Sequence, residues 1–167
     1  MTSERIDDYV QDVFSNLMMR VNTCIPGQIV SYDRTSQTAE IQPVLKIKFV
    51  EKDPENLPII KDVPVVYPGS GGYWLTFDLV PGDYVLLLFS QRSIGAWQTQ
   101  GGIVDPSRRR KFHMSDAIAL PGINPNPDVL SGLESGGMSI QNRDGSKYIK
   151  IKSTGQVNIN GNLTVDP

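Results

Sequence analysis

From Ser139 to Val165 the chain repeats a short phrase of alternating apolar and polar residues closed by glycine, and no single short chain can satisfy that pattern alone. Tyr148-Ile-Lys-Ile-Lys152, Val157-Asn-Ile159 and Leu163-Thr-Val165 keep the two-residue period of a strand, while Asp144-Gly145, Ser153-Thr-Gly155 and Asn160-Gly161 supply the turns. Each strand carries one apolar row: Ile149 with Ile151, Val157 with Ile159, Leu163 with Val165. About thirty residues are too few to close these rows over a core of their own, so other copies of the chain must cover them. At ~1.5–3 kcal/mol per buried aliphatic side chain, six per protomer contribute roughly 9–18 kcal/mol. Summed over three chains, this exceeds the roughly 4–15 kcal/mol lost at each association step. Three copies wound about one axis turn the rows inward, leave Lys150, Lys152, Asn158, Asn160 and Thr164 outside, and expose no lateral sheet edge. The segment predicts a homotrimeric, intertwined triple-stranded β-helix or β-prism. The alternative is a single hairpin added to the preceding domain.

The rest of the chain is also written in short pieces. Fifteen glycines and twelve prolines in 167 residues imply frequent turns and an all-β body. Gln28 to Asp33 reads as a strand paired with a long, half-exposed strand from Thr38 to Val50, whose Ala39, Ile41, Pro43, Leu45, Ile47 and Phe49 share one face. Ile59 to Tyr67 and Trp74 to Phe77 follow. Tyr84 to Phe89 comes after the Pro81-Gly82-Asp83 turn and is apolar on both faces, which places it centrally. Five strands in so short a stretch predict a small, OB-fold-like barrel over residues 25–122. Before it, Ile6, Val10, Val13, Phe14, Leu17, Met18 and Val21 recur at spacings of three and four, the mark of an amphipathic helix within residues 1–24. Its stripe packs either on its own barrel or on a neighbouring subunit. Residues 123–137, rich in glycine and proline, read as a linker, and residues 138–167 as the trimeric β-helical segment.

Little in the chain points to chemistry. The formal net charge is −2, which disfavours a general polyanion binder. No stretch is apolar for long enough to cross a bilayer as a helix, and the acidic opening residues do not form a secretory signal, so synthesis and folding in the cytoplasm are expected. The single cysteine, Cys24, excludes an intrachain disulfide and reads as a small buried hydrophobe. His113, the only histidine, lies in His-Met-Ser-Asp116, where adjacency is not triad geometry; it reads as a hydrogen-bonded turn element. Gly69-Ser-Gly-Gly72 lacks the lysine and spacing of a phosphate loop. No enzyme activity, cofactor or metal site is expected. Lys46, Lys48 and Lys52 with Phe49 form a weak single-strand-binding pattern offset by Glu40, Glu51, Asp53 and Glu55, so nucleic acid is the lesser reading. Arg108, Arg109, Arg110 and Lys111 form a basic loop suited to solvent or to an acidic neighbour.

Several motifs together resemble a known family. Ile25-Pro-Gly-Gln-Ile-Val-Ser-Tyr-Asp33, Gln37-Thr-Ala-Glu-Ile-Gln-Pro43, Val80-Pro-Gly-Asp-Tyr-Val-Leu-Leu-Leu-Phe-Ser-Gln-Arg-Ser93, Trp97 and Ser115-Asp-Ala-Ile-Ala-Leu-Pro-Gly122 are similar to the OB-fold amino-terminal domain of contractile-tailed phage baseplate central spike proteins. The glycine-punctuated tail from Gly136 resembles the trimeric β-helix that follows that domain. The resemblance implies a virion protein of the tail baseplate. In that family a homotrimer below the hub and tail tube is driven through the host outer membrane on sheath contraction, a mechanical function. It also makes Ile6, Val10, Val13, Phe14, Leu17, Arg108, Arg109, Arg110 and Lys111 candidates for docking the hub. Spikes of this family often end in a metal-bound point built from His-x-His pairs. This chain has no histidine after His113, so the resemblance leaves three readings of the point: a separate tip protein forms it, the chain is truncated, or the tip is blunt.

Overall fold

The computed structural model describes residues 3–19, 21–48 and 52–162. Contacts divide the chain into two compact units, residues 1–123 and 124–167.

In the first unit, helix α1 (Ser3–Met18) precedes strands β1 (Cys24–Asp33), β2 (Thr38–Pro43), β3 (Ile60–Pro64), the two-residue strands β4 (Gly69–Ser70) and β5 (Tyr73–Trp74), then β6 (Tyr84–Phe89), the short helix α2 (Gly95–Gln100) and β7 (Ala117–Pro121). Five strands form one antiparallel sheet in the order β3-β2-β1-β6-β7. The sheet curls into a half-barrel until its outer strands meet: just past β3, Val65 forms a parallel bridge with Ala119 of β7, and Val66 N–H donates to the Ala119 carbonyl at 2.9 Å. Ile29, Ile41, Val63, Val85, Leu87, Phe89 and Ala119 fill the concave side.

Local chemistry explains the corners. The β1–β2 turn is held by Asp33, whose carboxylate accepts from Thr35 N–H at 2.8 Å and Ser36 Oγ at 2.9 Å. These bonds hold the Asp33 carboxyl below the usual carboxylate range. Before β6, Asp83 accepts from Val80 N–H at 2.9 Å while Gly82 takes φ 101, a left-handed value that suits glycine. Gly27 is required for a different reason: a Cβ there would stand 2.6 Å from Ile41 Cγ2 and 3.0 Å from Leu87 Cδ1, so β1 runs directly against the core.

Several expectations need correction. The long strand expected from Thr38 to Val50 ends at Pro43. Proline has no N–H for the ladder, and beyond it Val44 N–H turns to the Pro26 carbonyl at 3.0 Å. Ala39, Ile41 and Pro43 do face the core, but Leu45 and Ile47 are exposed, and Phe49 lies outside the described residues. Trp74 to Phe77 is not one strand: only Tyr73–Trp74 pairs, with Gly69–Ser70. Cys24 is exposed rather than buried, because it opens β1 at the rim. Helix α2 was not expected. The central place of β6 and the turn role of His113 hold: β6 lies between β1 and β7, and His113 Nδ1 accepts from Ser115 N–H at 3.1 Å.

The second unit is a three-stranded antiparallel meander of β8 (Met138–Gln141), β9 (Tyr148–Ile151) and β10 (Val157–Asn160), with β9 in the middle. The three strands pair with one another within one chain.

Candidate functional site

Register builds the first site. Val157, Ile151 and Met138 stand in one line across the meander, and Ile159, Ile149 and Ile140 in a second two residues along. Because side chains alternate across a strand, all six lie on one face. Each is 40–56% exposed.

The opposite face carries Ser139 with Lys150 and Asn158, and Gln141 with Tyr148 and Asn160, and the preceding stretch of chain covers part of it. Lys150 Nζ donates to the Gly132 carbonyl at 2.9 Å, pairs with Glu134 at 3.6 Å and sits 4.5 Å from the Tyr148 ring centroid. Gln141 Nε2 donates to the Ser131 carbonyl at 2.6 Å, and Arg143 donates to the Asp128 carbonyl at 3.1 Å. Gly137 comes so close to β9 that a Cβ would overlap the Ile151 carbonyl. Residues 128–137, within the stretch read as a linker, therefore act as a strap over polar side chains. Usual practice is reversed: the Lys150 side chain is 14% exposed while the isoleucines beside it are open.

Of the six residues singled out from the sequence, Ile149, Ile151, Val157 and Ile159 lie on the apolar face, and Leu163 and Val165 fall outside the described residues. Met138 and Ile140 complete it. Their signal was present in Met138-Ser-Ile140, a period of two that becomes informative only once register sets it opposite Ile151 and Ile149. Lys150, expected outside, is under the strap, because the strap's carbonyls and Glu134 offer it partners.

The second site is the helix. Ile6, Val10, Val13, Phe14 and Leu17 form a stripe on α1 in which every member is 39–63% exposed. Of the two readings of this stripe, packing on its own barrel is not what the structure shows. The root of the helix is nevertheless anchored, since Asn22 Nδ2 donates to the Phe112 carbonyl at 2.8 Å and Phe89 N–H donates to the Thr23 carbonyl at 2.9 Å. Phe112 directly follows the basic loop, so the structure brings the helix root and that loop together.

Within the loop the four cations divide. Arg110 clasps Asp116 with both arms, at 2.5 Å from Nε and 2.9 Å from the terminal nitrogen. The Asp116 side chain is 1% exposed, and its carboxylate also accepts from Ile94 N–H at 3.1 Å. Burial by itself would raise this carboxyl, but the Arg110 hydrogen bonds, the Ile94 N–H and the Arg110 charge outweigh it and hold the group below its ordinary value. Arg110 thus locks the loop to β7. Arg108, Arg109 and Lys111 are exposed and make no ion pair among the described residues.

A shallow hollow of about 420 Å³ lies between Tyr32, Arg34, Tyr67, Phe77 and Asp78. Its polar groups satisfy one another: Arg34 is bidentate to Asp78 at 2.9 and 2.6 Å, and the Tyr32 and Tyr67 hydroxyls are 2.6 Å apart. Burial and the Tyr32 hydroxyl push the Tyr67 phenol upward, so it offers no base. Among the described residues no three histidine, cysteine, aspartate or glutamate side chains converge on a possible metal position, and no helix is long and apolar enough to cross a membrane.

Residues 25–122, more than half of the chain, match the family model described as "Phage protein Gp138 N-terminal domain". The chain belongs to that family. The Gp138 proteins are a phage baseplate central spike family, which gives this chain a structural role in the phage tail. The match begins one residue into β1 and ends one residue past β7, so it spans the half-barrel. No curated protein sequence matches the chain.

Proposed function

We propose that the protein is the homotrimeric central spike of a contractile phage tail, which pierces the host outer membrane on sheath contraction and is carried by the hub and tube above it. The observation that carries this reading is the inverted meander: its polar face is strapped by its own chain, and its apolar face is open. Three such faces turned to a common axis bury one another, giving a prism without an apolar exterior. Each of the six side chains has about half its surface still to lose, which makes the gain roughly 5–9 kcal/mol per protomer. The half-barrel supports an OB-type domain, since the order β3-β2-β1-β6-β7 with a parallel contact between the outer strands is that of a partly open Greek-key barrel. The barrel end bearing the α1 root and the basic loop is the side that meets the hub. The function is mechanical: interlocked chains must come apart cooperatively before the spike bends, so a slow unfolding rate is what resists load. Light scattering on the full chain tests the reading. A mass of three chains, lost when residues 138–167 are removed, supports it; a monomer at micromolar concentration overturns it.

A further inference from the structure

We infer that Asn160 is a site of spontaneous deamidation, and that its conversion to aspartate or isoaspartate releases the end of β10 from the β8–β9 turn. Asn160 lies on the polar face of the meander, so the inference holds for one chain as for three and does not depend on the trimeric reading.

The reaction needs a side-chain amide followed by a backbone nitrogen that is free to attack it. A base takes the Gly161 N–H proton, the nitrogen attacks Asn160 Cγ, and ammonia leaves as the succinimide ring closes. Water then opens the ring at one carbonyl to give aspartate or at the other to give isoaspartate. The sum is amide plus water to carboxylic acid plus ammonia. A side chain on the following residue crowds the attack, so glycine is the most permissive neighbour. Asn160 is the one asparagine of the chain that glycine follows.

Local structure leaves the reaction open at Asn160 and closes it at the comparable Asp144-Gly145 pair. Asn160 is exposed and, paired with Tyr148, is the last residue of β10. Among the described residues nothing accepts from Gly161 N–H, and a Cβ built on Gly161 would meet nothing within 4 Å, which leaves room for the ring. At the other pair the nitrogen is engaged: Gly145 N–H donates to the Asn142 carbonyl at 3.0 Å, and a Cβ there would stand 3.0 Å from the Ser131 carbonyl oxygen. Hydrogen bonding from Ser146 also holds the Asp144 carboxyl below its usual range, so it stays ionised and is a poor electrophile.

One side-chain bond restrains the Asn160 amide. Its Nδ2 donates to the Ser146 carbonyl at 2.8 Å, which pins the end of β10 to the turn between β8 and β9. Strand ends open at little cost, so this restraint delays the reaction without preventing it. The product cannot remake the bond, because an ionised aspartate has no proton to give a carbonyl and the two oxygens repel. Isoaspartate also lengthens the main chain by one carbon, which breaks the two-residue alternation beyond Asn160.

The test incubates the full chain in mildly alkaline buffer and follows its tryptic peptide from Ser153 to Pro167, in which Asn158, Asn160 and Asn162 precede isoleucine, glycine and leucine. Fragmentation mass spectrometry should place the amide-to-acid exchange at Asn160 ahead of the other two, and an isoaspartate-specific methyltransferase should label the product. Asp144→Ala frees Ser146 N–H from the acceptor that holds its turn, and with unchanged far-ultraviolet dichroism it should speed conversion roughly two- to tenfold, the worth of one net hydrogen bond. Exchange spread evenly over the three asparagines overturns the inference. So does an intact chain after the free peptide has converted, or an Asp144→Ala rate equal to the parent's. Asn160→Asp, the product made directly, should raise amide hydrogen exchange over Val157–Asn160 by a similar factor, and unaltered exchange there overturns the claimed release.

Discussion

Ile149 is the residue on which the assembly can be tested most sharply. It sits on the middle strand of the meander, directly across from Ile140 on one side and Ile159 on the other, and is 45% exposed in the single chain. Ile149→Asn therefore has different consequences in the two states. Within one chain, half the side chain is already in water, so the loss is about 1–1.5 kcal/mol of burial plus a fraction of a kcal/mol of strand preference. In the trimer each copy also forfeits the remaining half, about 1 kcal/mol, and buries an amide with no partner, about 1–3 kcal/mol more. Three copies together lose roughly 6–12 kcal/mol of association, more than four decades in the assembly constant. Sedimentation velocity from 0.1 to 50 μM on the full chain should show a trimer for the parent and dissociation for the variant, with far-ultraviolet dichroism of the dissociated chain close to the parent's. Lys147→Asn, at an exposed turn position of the same sheet, controls for the mutation itself and should leave the trimer intact. If Ile149→Asn sediments as a trimer with unaltered resistance to denaturant, the apolar face is not the interface and the argument for a prism fails.

Other outcomes follow from the same structure. Because the Asp116 carboxyl is held below its ordinary value, its contribution is full above about pH 4, the unfolded-state value, and is lost as pH falls through the lower folded value. Asp116→Asn should cost about 3 kcal/mol at pH 7 by stranding Arg110, and should flatten the fall of stability as pH drops below the ordinary carboxylate range; an unchanged acid limb in urea titrations would contradict this. Gly27→Ala should lower stability by about 1–3 kcal/mol, because its Cβ overlaps Ile41 and Leu87; thermal unfolding reads it, and a neutral result would mean β1 can move off the core. Residues 1–123 alone should keep the strand spectrum and cooperative melt of the half-barrel while losing detergent-resistant assembly. Single-stranded DNA should not be retarded by the full chain; retardation that weakens steeply with salt would favour the barrel as a nucleic-acid binder.

What the sequence made legible follows the reach of its signals. The paired rows Ile149/Ile151 and Val157/Ile159 share a period of two with their turns, so strand, face and exposed character were readable together. The apolar run Tyr84–Phe89 announced the central strand, although only Val85, Leu87 and Phe89 reach the core and Leu88 on the other face is exposed. The failures have one cause, dependence on distant partners. The strand leaving Pro43 stops because Val44 N–H is taken by Pro26. Arg110 parts company with Arg109 because Asp116 lies under it. Lys150 is covered because Gly132 and Glu134 come to meet it. A basic run does not disclose which member is structural, and an alternating strand does not disclose which face its own chain will cover.

That last ambiguity is where the fold meets the function. A three-stranded meander with one apolar and one polar face can be covered from either side, and covering the apolar side would have yielded a self-contained module. Here Gly137 and Gly145, which let the strap lie against β9 and the β8–β9 turn, and the bonds from Lys150, Gln141 and Arg143 assign the strap to the polar side. A slip of one residue in β10 would put Asn158 and Asn160 in the apolar row and hide Ile159, so the Lys152 to Gln156 turn and the bond from Asn160 Nδ2 to the Ser146 carbonyl protect the register on which the face depends. In the proposed assembly the strap thus directs the side from which other copies approach. In the proposed trimer, loaded end-on, the chains are joined through a continuous apolar axis, and a strap that saturates the outer face leaves only that axis to be shared.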